Sequence, residues 1–152
     1  MNRLFILSFT FFLTSTLFAQ QASSDAIKHT INTMLDAMRK GDSTLLRSSL
    51  ANDVALQRVV ADKTGKFSLS TTSANDVVTT IGTPHKDAYD EKIVFGDIKI
   101  DGPLASVRAP YKFYVGKTFS HCGVNFFQLA KTQDGWKIIH IAYTVRTDNC
   151  KK

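Results

Sequence analysis

The sequence predicts an α+β domain in which N-terminal helices pack on a strongly curved antiparallel β-sheet. Three observations predict it. Apolar residues recur at helical spacing only in the first half of the chain; from Lys92 onward the pattern switches to period two; and the later strands are joined by connections too short for anything but antiparallel neighbours. Helices first and strands later is the order of α+β folds, not of βαβ units.

The first element is not expected to belong to the domain. Met1-Asn2-Arg3, an apolar run from Leu4 to Phe18 and then Ala19-Gln20-Gln21 have the charge, core and small-residue boundary of a signal peptide, so residues 1–19 are set aside as a leader. The run is shorter than the roughly 18 to 20 residues of a spanning helix, and no basic stop-transfer cluster follows. Residues 20–152 are then one domain, periplasmic or secreted, with no stable membrane anchor after leader removal. A chain of this size buries roughly two-thirds of its unfolded surface and folds without staples. The formal net charge of +6 includes Arg3, and the basic residues are scattered, with no block longer than Lys151-Lys152. That pattern suits solubility and predicts no nucleic-acid partner.

Ser23 or Ser24 can cap a first helix whose apolar residues Ile27, Ile31, Met34, Leu35 and Met38 form one stripe, with Gly41 as its end. Asp42 can cap a short second helix through Leu45, Leu46 and Leu50. Val54–Val60 and Lys66–Ser70 read as a hairpin around Lys63-Thr64-Gly65. Ser73 with Asp76 resembles a capping box for a third helix, Val77 to Ile81, which stops at Gly82 and Pro84.

Four strands follow: Ile93–Ile100, Leu104–Val115, Thr118–Lys131 and Trp136–Val145, joined by Asp101-Gly102-Pro103, Gly116-Lys117 and Asp134-Gly135. The helices can cover only one face of this meander, so the sheet must curl around the first helix and leave a cavity, or find a partner for its other face. With an even turn in the last hairpin, Phe119, His121, Gly123, Asn125, Phe127 and Leu129 share a face with Trp136, Ile138, His140, Ala142, Thr144 and Arg146. The opposite face then carries Cys122, Val124, Phe126, Gln128, Ile139, Ile141, Tyr143 and Val145. An odd loop or a bulge would reverse part of this assignment.

The segments GTPHKDAYDEKI (Gly82 to Ile93) and FSHCGVNFFQLAKTQDGWKIIHIA (Phe119 to Ala142), behind a helical N-terminal half, resemble the NTF2-like superfamily over the whole of residues 20–152. The resemblance is strongest to small exported bacterial proteins described as SnoaL-like, DUF4440-like or putative lumazine-binding. It implies a cone of helices on a curved sheet. It fixes no activity, because the superfamily spans ketosteroid isomerase, polyketide cyclases, scytalone dehydratase, transport factors and domains without known chemistry. In the related pattern an acidic residue commonly stands at the position of Tyr143 and an arginine at that of Val145, so a role of that carboxylate does not carry over.

The expected function is binding of a small, partly apolar molecule in the cone. Its expected lining is His121, Asn125, Phe127, His140 and Tyr114, with Trp136 towards the floor. His121 is the candidate catalytic acid/base, since imidazole alone titrates unperturbed near neutral pH; Asn125 or Tyr114 can donate to an oxyanion. The alternatives are a cofactor-independent isomerase, dehydratase or cyclase using His121, and a homodimeric interaction module using Ile139, Ile141, Tyr143 and Val145 of the outer face. A buried carboxylate would suit an isomerase, but Asp97, within a predicted strand, shares a face with Ile93, Phe95 and Lys99 and reads as a surface partner of Lys99. His85 reads as a rim-loop residue and His29 as solvated. Scattered His and Cys without CxxC or HExxH predict no metal, and without GxGxxG or a Walker loop no cofactor is expected. Cys122 and Cys150, two cysteines of an exported chain on or beside adjacent strands, are expected to form a disulfide.

Overall fold

Local chain chemistry accounts for the helices of the computed structural model, which describes residues 6–150, with side chains from Gln20 onward. Helix α1 runs Ile6–Lys40. The first five residues of the expected leader lie outside the described residues, and its remainder is helical backbone. The expected cap at Ser23 or Ser24 does not form, because Gln20-Gln21-Ala22 are good helix formers and nothing between Ile6 and Ser24 interrupts the ladder. Among the described residues no helix is long and apolar enough to cross a membrane.

The stripe of α1 is buried as predicted at Ile27, Ile31, Met34 and Leu35. Gly41 ends the helix at φ 66°, a conformation open to glycine. Helix α2, Ser43–Ser49, is capped by the Asp42 carboxylate, which accepts from Leu45 N at 2.8 Å. Strands β1 (Leu50–Ala61) and β2 (Phe67–Ser73) form the expected hairpin. Ser73 caps α3 (Ala74–Gly82): Asp76 N donates to its Oγ at 3.2 Å, and its hydroxyl donates to the Asp76 carboxylate at 2.7 Å.

The predicted strand Ile93–Ile100 is two strands, β3 (Tyr89–Ile93) and β4 (Ile98–Asp101), both paired with β5 (Leu104–Val115). Asp97 lies exposed between them, and no ion pair joins it to Lys99 among the described residues. β6 (Thr118–Thr132) and β7 (Gly135–Thr144) complete a seven-stranded sheet of order β2-β1-β7-β6-β5-β3. The antiparallel expectation holds from β3 to β7. It fails where β1 lies parallel to β7, so the sheet is mixed. That pairing joins segments some eighty residues apart and leaves no turn signal.

The core sits between the helices and the concave face of the sheet. Its largest fully buried side chains are Ile27, Ile31, Leu46, Val107, Phe127, Leu129 and Ile138, and burial of each stabilises the fold by about 1.5 to 3 kcal/mol.

One bulge decides which side chains see this interior. Leu129 pairs with Ile138, but Gln128 pairs with His140, so Ile139 is an extra residue and everything after it changes face. Ile141 and Tyr143 therefore turn inward, while His140 and Ala142 turn outward. The expected dimer surface loses Ile141 and Tyr143 to the interior for the same reason.

Candidate functional site

Strand alternation brings Asn125 and Phe127 of β6, Tyr111 and Phe113 of β5, Ile141 and Tyr143 of β7 and Glu91 of β3 around one cavity of about 240 Å³. Met34 and Met38 of α1, Leu46 of α2 and Val77 of α3 close its helical side, and Leu56 of β1 its flank. The wall is mostly apolar, and its polar groups converge from different strands, as in ligand sites generally.

Glu91 is the most unusual of these groups. Only 9% exposed, its Oε1 accepts from Asn125 Nδ2 at 2.7 Å. No hydrogen bond reaches its Oε2 among the described residues, yet no fully buried side-chain oxygen lacks a partner there, so Oε2 keeps access to the cavity. Burial pushes the carboxyl pKa up to about 7, against the Asn125 bond, which pulls it down. The neighbouring Asp90 accepts from Arg39 Nε of α1 at 2.9 Å, tying this edge of the sheet to the helix.

Two tyrosines and a histidine surround it. The Tyr111 hydroxyl donates to the Thr144 carbonyl at 2.8 Å, and its ring crosses directly over Gly123. A Cβ at Gly123 would lie 2.6 Å from Tyr111 Cε1 and would run into the Thr144 carbonyl oxygen, so that position must lack one. Burial raises the pKa of both Tyr111 and Tyr143, which keeps them protonated. His121 stacks on Phe113 (centroids 4.9 Å apart) and meets Tyr111 edge-on at 5.7 Å, with Ser120 Oγ 3.0 Å from its Nδ1. Burial, then the charge of Arg58, lowers its pKa. Near neutral pH the tyrosines and His121 are thus uncharged, and Glu91 alone is poised to change charge.

Of the residues singled out from sequence, His121, Asn125 and Phe127 do meet in this cavity. His140 does not: the Ile139 bulge turns it to the outer face, where Nε2 lies 2.9 Å from Gln57 Oε1 beside Phe126 and Gln128. Tyr114 faces outward because it follows the inward Phe113 on β5, and the extra residue Ser120 on β6 turns Phe119 out beside it, in edge contact at 5.7 Å, with Lys92 Nζ 4.9 Å above the Tyr114 ring. Trp136 is buried beneath α1, where its carbonyl accepts from Thr30 Oγ at 3.2 Å, but it is not the cavity floor. It lines a broader depression of about 830 Å³ between α1 and the β6–β7 turn. The buried polar side chains of that depression, Thr30 and Ser49, are already bonded to backbone carbonyls, so nothing there converges on a ligand. His85 packs on Tyr89 with centroids 4.3 Å apart, and His29 is exposed.

Cys122 lies on the face opposite His121 and is joined to Cys150, with Cα atoms 5.8 Å apart. Its backbone pairs with Arg146, and the tail returns through Asn149 at φ 51°. Among the described residues no group of three His, Cys, Asp or Glu could hold a metal ion.

Glu91 escapes the sequence reading because the strand is begun after it. Two signals pointed to it. Tyr89, Glu91 and Ile93 alternate with charged neighbours, and Glu91 is the only glutamate in the chain.

Residues 22–144 match the family model described as putative lumazine-binding. The chain belongs to that family. Among solved structures, this putative lumazine-binding domain is similar to an NTF2-like protein with a cystatin-like fold from Novosphingobium aromaticivorans, at 14% identity and TM-score 0.69 over 98% of this chain and 93% of that one. A conserved protein from Planctomyces limnophilus matches at 20% identity and TM-score 0.68, over 83% and 98% of the two chains. An NTF2-like protein from Shewanella baltica matches at 18% and 0.61, over 86% and 98%. These likenesses establish the NTF2-like fold. No curated protein matches the sequence.

Proposed function

We propose that this domain binds a small, partly apolar molecule in the cavity of its cone. The observation that carries the reading is Glu91, a carboxyl set in an apolar enclosure with one oxygen committed to Asn125 and the other open to the cavity. A polar group so costly to bury is retained where it meets something. At about 240 Å³ the space is below the roughly 300 to 1,000 Å³ of drug-sized ligand sites, which suits one ring or two fused rings with any longer substituent outside. The family description names one body of that size, the two fused rings of lumazine. Export belongs to the same reading, supported by the Leu4–Phe18 run and the Cys122–Cys150 bond.

Native mass spectrometry of protein purified from its producing cells tests this. Wild type should carry a small retained mass or take up added lumazine, and Leu56→Trp, which fills the cavity wall, should do neither. Equal uptake by both proteins would contradict the reading. The same spectra report the oligomeric state, for which exposed Phe119 and Phe126 are apolar surface on the outer face.

A second reading is favoured by the raised pKa of Glu91. A carboxyl titrating near 7 is matched to proton abstraction beside a carbonyl, with Tyr143 or Asn125 donating to the resulting oxyanion and no cofactor. His121, held uncharged, is then a wall and hydrogen-bonding residue; Glu91 is the acid/base. Solvent-deuterium exchange into a bound ketone, abolished by Glu91→Gln, distinguishes turnover from binding alone.

A further inference from the structure

We propose that the molecule taken by the cavity is an anion, a small carboxylate with an apolar body, bound with its body inward and its charge against the Arg58 guanidinium at the mouth. This rests on the cavity reading above. Along β1 the side chains of Val54, Leu56 and Arg58 alternate onto the concave face: Val54 is buried, Leu56 forms the cavity flank, and Arg58 is the exposed next step. Arg58 pairs in register with Tyr143, whose ring lines the cavity from the neighbouring strand. Its charge reaches Tyr111, His121 and Tyr143, three residues that ring the same space. Among the described residues, Arg58 has neither an ion pair nor a side-chain hydrogen bond.

The charges facing the cavity decide the ligand's sign. Tyr111, Tyr143 and His121 are uncharged near neutral pH, and Glu91 is partly protonated, whereas a guanidinium stays charged throughout. The permanent charges are therefore cationic: Arg58 at the rim, whose field reaches all three residues, and Arg146, whose field reaches Tyr111 alone. An anion cannot sit at the bottom, where Glu91 would repel it and the apolar wall would leave it unpaired. At the rim it gains a charge-assisted, fork-shaped partner and keeps part of its hydration. An amine would need the opposite arrangement, its charge at the apolar depth against a half-neutral carboxyl.

The test is calorimetric titration at pH 7 with three matched probes: benzoate, benzamide and benzylamine. On wild type, benzoate should bind about tenfold more tightly than benzamide, the scale of one charge-assisted contact. Arg58→Gln should bring the two within about twofold by weakening benzoate more than benzamide, and Arg58→Lys should restore part of the preference. Arg58 is exposed, so these variants should keep the wild-type melting temperature. Benzamide binding as tightly as benzoate, benzylamine binding tightest, or the preference surviving in Arg58→Gln would each overturn the anion inference and leave the cavity reading standing. Failure of all three probes to bind wild type would overturn both.

Discussion

Glu91→Gln separates the cost of the buried carboxyl from the packing around it. Glutamine keeps the shape and the oxygen that Asn125 Nδ2 meets at 2.7 Å, and removes only the titration. In the folded chain burial lifts the carboxyl from an ordinary 4.5 to about 7. Between those values the folded state holds a proton that the unfolded chain has released, and stability must fall as pH rises wherever the native state binds more protons. The contribution of the protonated carboxyl is therefore complete below about pH 4.5 and is lost as pH climbs through 7. At about 1.4 kcal/mol per pH unit the interval corresponds to about 3 kcal/mol, with little reduction for solvent screening because the group is only 9% exposed. Urea unfolding of both proteins, disulfide intact, at several pH values from 5 to 8 measures it. His121 opposes the trend: its lowered pKa adds stability that is lost as pH falls below its ordinary range, but it does so in both proteins and cancels in the difference. The variant should match wild type near pH 5 and exceed it by about 3 kcal/mol at pH 8. Parallel pH curves would refute the reasoning.

Three further substitutions probe the frame that holds the site. Trp136→Ala, beneath α1, should cost about 3 to 5 kcal/mol in chemical denaturation; a loss below about 1 kcal/mol would contradict its burial. Gly123→Ala should cost more than about 3 kcal/mol, because the added methyl meets the Thr144 carbonyl and the Tyr111 ring with nowhere to move; a thermal melt matching wild type would contradict that geometry. Cys150→Ser should lower stability by roughly 3 to 4 kcal/mol through the opened loop, and denatured, unreduced wild type should show no free thiol, two free thiols being the contrary result.

Much of the frame was legible because it is set by local chemistry. The Asp42 and Ser73 caps, the Gly41 stop and the Gly65 turn each depend on residues a few positions apart. The parallel pairing of β1 with β7 was not legible, because nothing near either strand encodes it. The cavity was half legible. His121, Asn125 and Phe127 lie before the bulge, where alternation from the turn holds; His140 and Tyr143 lie beyond Ile139, where one extra residue exchanges their faces. Glu91 was passed over because the predicted strand began at Ile93, and only the pairing of Glu91 with Phe113, between β3 and β5, shows that it points inward.

Because Glu91 is the only glutamate in the chain, carbon-13 labelling of glutamate gives a single carboxyl resonance that reports on the cavity directly. Its titration tests the account at its centre. A midpoint near 7, displaced on addition of benzoate, is the predicted result. A midpoint near the ordinary 4.5, indifferent to ligand, would mean that the carboxyl is solvated and that no such site exists.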